Sequence, residues 1–370
     1  MTDTRKDALP PNQTKQKTLS ILACPAFKTK AANPYPALLY EAMQQKGIKV
    51  GEFHPCRLLF ASYDFLHFHW PEHHFLGDSA WRTLLKALRF FSVILVARAK
   101  GMRIVWTAHN LQSHSRLQPG LEKTCRRLFY RNLSGIISLN NATRDDLMHN
   151  FPEGLSPPVA VIPHGHYRGF YPDTVGKLEA RRHLGITDDK KLIFGWVGLI
   201  KPYKGLPELV AAWRDRPGAD ASLLIAGLVC DPQLNQLLEK AAAQDKRIIF
   251  CPGWVSIDQM QYFLKAADVV VLPFRAITNS GSALLALSFN VPVALPRTAS
   301  MEELQAAVGK EWVYLYEGPF SPSVLHDIRC WFEKEPRDAL APLEFLDWDR
   351  LAGQTVAFFE QLHRSPLTPS

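Results

Sequence analysis

Short apolar runs recur along the whole chain, each closed by a polar turn and followed by a stretch with the spacing of an amphipathic helix. Residues 18–24, 48–53, 64–69, 103–108, 135–139 and 159–162 read as strands, and so do 192–197, 221–226, 247–251, 268–272 and 291–295. Runs this apolar, without strict alternation, suit strands covered on both faces, as in parallel sheets. Helical spacing appears at 37–45, 81–103, 121–133, 142–150, 177–184, 206–213, 232–243, 257–266 and 283–289. Regular strand–helix alternation predicts a doubly wound α/β architecture. The alternation pauses at 167–192, a stretch rich in Pro, Gly and charge, and then restarts. Two Rossmann-like domains are therefore expected, 18–175 and 176–347, after a polar tail at 1–17 that reads as disordered. The amphipathic helix at 348–363, in the closing segment 348–370, is expected to pack back onto the first domain. Asp347-Trp348-Asp349 has the outline of a D-x-D metal motif, but no strand precedes it, and it reads as the N-terminal cap of that helix.

Composition agrees with this division. The 370 residues are 47% hydrophobic and 21% charged, globular values that accommodate two domains. No repeat of the roughly 20–50-residue period of solenoids is found. The net charge of +8 is unevenly placed, +10 through His166 and −2 beyond it. A basic first half suits an anionic membrane surface, an acidic substrate or nucleic acid. Nucleic acid is the weakest of these, because the basic residues are not interleaved with a recognition motif. Six cysteines (Cys24, Cys56, Cys125, Cys230, Cys251, Cys330) form no C-x-x-C pair and no zinc spacing. They read as small buried hydrophobes in a reducing cytoplasm. The N-terminus lacks the apolar core of a secretion signal.

No run reaches the ~18–20 apolar residues of a membrane span. The nearest, 81–103, has its apolar centre at 90–97, flanked by Arg82, Lys86, Arg89, Arg98, Lys100 and Arg103. A helix packed on the sheet with its basic residues in water is the preferred reading. The other is a basic amphipathic helix on a membrane, which would bring the first domain to a lipid-borne substrate.

The clearest chemistry lies at 272–296. A strand end, the turn Thr278-Asn279-Ser280-Gly281-Ser282, a helix and a second strand make a βαβ unit. Unpaired N–H groups at such a helix start favour an anion such as a nucleotide diphosphate. An ordinary connection with Ser280 or Asn279 as N-cap fits equally well. A second loop has the same character: Gly198 and Gly205 bracket Lys201 and Lys204 just before a helix. Glycine lets the backbone approach a phosphate and lysine neutralises it. Gly227 and Val255, after the next two strands, complete a donor-binding set with Gly198, Lys201, Lys204, Asn279, Ser280, Gly281 and Ser282. Neither a P-loop nor a G-x-G-x-x-G turn is present, which weakens kinase and dehydrogenase readings. In the first half, polar residues gather after successive strands: Asn33 and Tyr35; His69, Trp70 and Glu72; His109 and Asn110; Asn140; His164 and His166. Singly, each reads as a satisfied loop or core residue. Together, at the carboxyl ends of parallel strands, they point to a polar acceptor cleft.

Two α/β sheets, a cleft, a phosphate-suited loop and a returning helix together resemble the GT-B glycosyltransferases. The motifs narrow the likeness: Asn33-Pro34-Tyr35 with Leu39-Tyr40-Glu41-Ala42, His67-Phe68-His69-Trp70-Pro71-Glu72, His109-Asn110-Leu111 with His114, and His164-Gly165-His166-Tyr167-Arg168. Gly198 to Gly205, Asn279-Ser280-Gly281 and Val313-Tyr314-Leu315-Tyr316-Glu317-Gly318 continue the series. In order and spacing, from Asn33 to Leu362, the chain resembles the xanthan β-mannosyltransferase family. The resemblance implies mannose transfer from GDP-mannose to a lipid-diphosphate-linked oligosaccharide in exopolysaccharide synthesis. It also implies no metal or other cofactor, and a peripheral place at the inner face of the cytoplasmic membrane. Larger retaining GT-B families carry two spaced glutamates in the segment equivalent to 272–296. Those positions fall near Ile277/Thr278 and at Leu285, and both carboxylates are absent. The absence favours inverting transfer, a single displacement. It needs a base near the acceptor hydroxyl and cations or N–H dipoles near the departing phosphate. Glu72 is the first candidate base, because it follows a strand end and Pro71 fixes its approach. His109 is the second; in related GT-B enzymes a histidine on this loop contacts the donor sugar rather than taking the proton. A retaining transferase and a non-catalytic sugar-binding partner of a polysaccharide assembly are the alternatives.

Overall fold

A computed structural model describes residues 18–109, 119–151, 157–188, 191–215, 220–275 and 277–366. The tail at 1–17, Asn110 and His114 lie outside these residues.

The first half runs β1 (Ser20–Cys24), α1 (Tyr35–Gln45), β2 (Lys49–Glu52), α2 (Pro55–Phe60), β3 (Phe65–Phe68), α3 (Glu72–Phe75), α4 (Ala80–Ala99), β4 (Arg103–Ala108), α5 (Pro119–Tyr130), β5 (Gly135–Ser138), α6 (Asn141–Asn150) and β6 (Val159–Val161). All pairings are parallel, in the order β2-β1-β3-β4-β5-β6. The second half runs α7 (Lys177–His183), β7 (Leu192–Val197), α8 (Leu206–Asp215), β8 (Ala221–Gly227), α9 (Pro232–Gln244), β9 (Ile248–Pro252), α10 (Met260–Ala266), β10 (Val269–Val271), α11 (Gly281–Ser288), β11 (Val293–Pro296), α12 (Ala299–Val308), β12 (Val313–Tyr316), α13 (Pro322–Lys334) and α14 (Trp348–Arg364). Its sheet is again parallel, in the order β12-β11-β10-β7-β8-β9. The chain is thus a GT-B-type pair of doubly wound sheets. Strands β1, β3, β5 and β8 are buried along their whole length, as the unbroken apolar runs required. Each sheet has a switch point, between β1 and β3 and between β7 and β10, where loops diverge and leave a crevice.

The first sheet is covered on both faces. On one, α1 and α14 pack Leu39, Tyr40, Leu351, Phe358, Phe359 and Leu362 over Ile21, Phe65 and Val105. On the other, Phe90, Ile94 and Phe129 of α4 and α5 cover Leu66, Phe68 and Trp106. The closing helix therefore returns to the first domain as its spacing predicted, and each buried Phe or Leu contributes ~1.5–3 kcal/mol. Asp347 occupies the N-cap position of α14, yet its side chain makes no cap bond; Oδ1 accepts from His166 Nε2 at 2.6 Å instead. The stretch 297–347 adds α12, β12 and α13, whose starts are capped by Thr298 and Ser321 hydroxyls. Helix α4 ends at Ala99, four residues earlier than its apolar pattern suggests. There Lys100 Nζ donates to the Leu58, Leu59 and Ala61 carbonyls.

Helix α4 carries two apolar stripes. Thr83, Ala87, Phe90, Ile94 and Ala97 are buried, whereas Trp81, Leu84, Leu85, Leu88 and Leu95 face solvent. Among the described residues no helix is long and apolar enough to cross a membrane.

Candidate active site between the two sheets

A cleft of about 420 Å³ opens at the carboxyl ends of both sheets. Its first wall is Ala31–Pro34 after β1, His109 after β4, and His164 and Tyr167 after β6; loops following β7, β8, β9 and β10 form the other. No aspartate or glutamate is among the described lining residues.

On the second wall, Gly198, Lys204, Val255, Asn279, Ser280, Gly281 and Ser282 all line the cleft. Lys204 Nζ lies 5.4 Å from the Trp196 ring centre and 5.6 Å from that of Phe274, close enough for cation–π attraction. Burial, and then the Lys201 charge, lower its pKa to about 8. Gly205 has φ +73°, and a Cβ there would stand 1.7 Å from the Pro273 carbonyl oxygen. Only glycine lets the Lys204 loop meet the loop after β10, to which Arg275 N–H to Tyr203 O (3.1 Å) also ties it. Ser280 Oγ accepts from Ala283 N–H at 3.0 Å, so the N-cap reading holds and α11 opens directly onto the cleft.

Two expected donor residues stand back from the lining. Gly227 has φ +148°, and its missing Cβ makes room for the Gly198 carbonyl, 1.8 Å from where that atom would lie. It shapes the loop and is not in the wall. Lys201 is also outside the lining, and its charge, after burial, lowers the pKa of His73 on α3.

The first wall is organised around histidines. His109 and His164 line the cleft with Asn33. Tyr35 is buried beneath them, its ring centre 4.9 Å from His109, 4.5 Å from His164 and 5.7 Å from His69. Trp70 stacks on His109 at 4.3 Å. His164 Nδ1 lies 2.7 Å from the Gly165 carbonyl and must donate, which leaves its lone pair on Nε2, 3.4 Å from Tyr167 Oη. Burial lowers the His164 pKa to about 4 and holds that of His109 well below the usual imidazole range.

Other predicted residues join the domains. Asn140 donates to Thr278 O (3.0 Å) and Asn279 Oδ1 (2.6 Å), and Asn279 donates to His109 O (3.0 Å). His166 is bonded to Asp347, and its carbonyl accepts from Trp348 Nε1 at 2.7 Å.

Glu72 does not line the cleft. It is the first residue of α3 and is buried, with Arg126 and Glu122 of α5 as its charged neighbours. Burial raises its pKa; its own backbone N–H and then Arg126 oppose the rise. Arg126 is itself held by Glu122 at 2.8 and 3.0 Å. Placement against α5 corrects the expectation that this carboxylate meets an acceptor hydroxyl.

Sequence reading missed Trp254, Tyr203, Phe274 and Met260, which line the second wall. Trp254 is 54% exposed between Gly253 and Val255, and a large aromatic directly after a strand end was the available signal. Ile277, Thr278 and Leu285, which stand where a glutamate pair would be, also face the cleft.

The profile of the family described as "Glycosyl transferases group 1" matches residues 191–314. A GDP-mannose:glycolipid 4-beta-D-mannosyltransferase of Xanthomonas campestris pv. campestris is 32% identical over 86% of this chain and 85% of its own. A 2-deoxystreptamine N-acetyl-D-glucosaminyltransferase of Streptomyces fradiae is 29% identical over 54% of this chain and 50% of its own. Among solved structures, sucrose-phosphate synthase from Thermosynechococcus elongatus superposes with a TM-score of 0.68 at 19% identity, over 93% of this chain and 99% of that one. Anabaena Alr3699/HepE in complex with UDP-glucose gives 0.62 at 14% identity, over 93% and 98%. At these identities the two structures speak for the fold.

Proposed function

The chain belongs to the family of GT-B glycosyltransferases that includes the Xanthomonas GDP-mannose:glycolipid 4-β-D-mannosyltransferase, and from that premise we propose inverting transfer of mannose from GDP-mannose to a lipid-diphosphate-linked oligosaccharide in exopolysaccharide synthesis. The observation that carries the reading is the pairing of walls. Lys204 and the start of α11 stand on one, and two neutral imidazoles on the other. The diphosphate lies against Lys204 and the backbone N–H groups of Gly281 and Ser282, where departing charge is stabilised. Trp254 offers its face to the nucleobase. His164 keeps a lone pair on Nε2, and this reading has it accept a hydrogen bond from the attacking hydroxyl and so orient it. No metal is invoked, since Lys204 and N–H dipoles supply the positive potential.

The acceptor's lipid places the first domain at the inner face of the cytoplasmic membrane. The exposed stripe of α4, with Arg89 and Arg98 beside it, supports this placement. The lack of a carboxylate among the described lining residues favours a second reading, a sugar-binding partner without turnover.

A panel of sugar nucleotides against the purified protein decides between them. GDP-mannose at 100 times its Kd should add ~2.7 kcal/mol of stability, and product analysis should give the β-anomer. Stabilisation by a different donor alone, or an α-product, would refute the stated transfer. Donor binding with neither transfer nor hydrolysis would establish the second reading.

A further inference from the structure

A line of buried hydrogen bonds runs from the core of the first domain to the cleft. Thr107 Oγ1 lies 2.9 Å from His67 Nε2, and His67 Nδ1 lies 2.7 Å from Tyr40 Oη. Tyr40 Oη lies 2.7 Å from His69 Nε2, and His69 Nδ1 lies 3.1 Å from His109 Nε2. Tyr40 comes from α1, His67 and His69 from β3 and its end, Thr107 and His109 from β4 and its end. Alternate strand residues share a face, which puts both pairs on the α1 side of the sheet. All are sealed from solvent except His109, which lines the cleft.

Proton counting fixes the sense of the line. Burial keeps His67, His69 and His109 neutral, so each carries one N–H. Tyr40 has one proton and two neighbours, so it donates to one and accepts from the other. Among the described residues, Thr107 Oγ1 has His67 as its partner and no other. Its buried O–H therefore donates to His67 Nε2, since the opposite sense strands a buried donor. It follows that His67 Nδ1–H donates to Tyr40, Tyr40 to His69 Nε2, and His69 Nδ1–H to His109 Nε2. The proton of His109 is left on Nδ1, which has no partner among the described residues and is not sealed in the protein. Around His109 stand His69, His164, Tyr35 and Trp70, with no carboxylate among the described neighbours to stabilise an imidazolium.

We propose that this line locks His109, whose contact with the donor sugar the resemblance to GT-B enzymes already implies, as an Nδ1–H donor with Nε2 closed to a proton from the acceptor. Tyr40, His67, His69 and Thr107 are positioning residues that act through it. The sugar contact rests on the transferase reading; the tautomer does not.

Long-range ¹H–¹⁵N correlation spectra of histidine-labelled protein test the tautomer without substrate. The signals that vanish in His109→Asn should show protonated Nδ1 and bare Nε2 at pH 7. Protonated Nε2, or an imidazolium, overturns the proposal. Tyr40→Phe keeps the shape and cuts the line. It should mix the His109 tautomers and lower kcat about tenfold or more, with the donor KM within about twofold. Thr107→Val, which removes the terminal donor, should act in the same direction and serves if Tyr40→Phe does not fold. Unchanged tautomer and kcat in a folded variant overturn the positioning role. An asparagine amide reproduces an Nδ1–H donor and no base. His109→Asn should therefore retain turnover within about tenfold, while His109→Ala loses ~10²-fold or more. Equal loss in both overturns the donor role.

Discussion

At the scale of single residues, Lys204 and Glu72 carry the sharpest consequences. Lys204 is the lysine among the described lining residues, and burial holds its pKa at about 8. Below that value the ammonium is charged and attracts phosphate; above it the charge is lost. Donor affinity measured by calorimetry should therefore fall as pH rises past about 8. Lys204→Arg should carry the affinity to higher pH, because a guanidinium stays charged. Lys204→Ala should weaken donor binding at pH 7 by ~1.5–3 kcal/mol, the worth of a charged hydrogen bond. Glu72 is turned against Arg126 and Glu122. Glu72→Gln should hold kcat within about tenfold of the unaltered protein, where loss of a true general base costs ~10²–10⁴. A larger loss in a folded protein would return Glu72 to the chemistry.

Among the elements, α4 is the one whose surface is unexplained by the fold. Its inner stripe packs on the sheet, while Leu88 (61% exposed) and Leu95 (69%) lie in the outer one. Phe60, at the end of α2, is barer still, and Lys100 ties that turn to the C-terminal end of α4. The membrane placement proposed above rests on this strip and its flanking Arg89 and Arg98. The protein should cosediment with vesicles containing anionic lipid, less so as salt is raised. Leu85→Asp with Leu88→Asp should reduce binding about tenfold or more, since two leucines lose ~1.5–3 kcal/mol each of burial. Both are exposed, so thermal stability should change little; retained binding would move the surface elsewhere.

In the whole molecule, the buried histidines and the domain junction set the response to acid. His67, His74 and His164 have pKa values of about 3, 4 and 4, all lowered by burial, and His69 and His109 are lowered as well. Folded values below the unfolded value of about 6.5 mean that unfolding takes up protons between pH 6.5 and about 4. Stability is full above this window and falls as pH drops through it, so thermal unfolding should move steeply lower from pH 6.5 to 4. His67→Asn should flatten that slope. The junction itself, through Asn140, Asn279 and the Glu303 carboxylate on Asn141 and Ala142, joins residues more than a hundred positions apart. Much of this molecule was legible in order along the chain. Apolar runs without alternation needed cover on both faces, which dictated parallel sheets, and glycine and lysine before a helix marked a loop that lines the cleft. The absent glutamate pair could also be read directly. Side-chain direction at the strand ends could not. Glu72 read as a candidate base at a strand end, but it begins α3, with Arg126 and Glu122 of α5 as its charged neighbours. Tyr40 stood in a family motif on a helix with no role of its own, and only packing set it between His67 and His69. Local pattern determines which face an element buries; only the packed elements decide which two polar atoms meet across it, and with them the proton that His109 shows to the cleft.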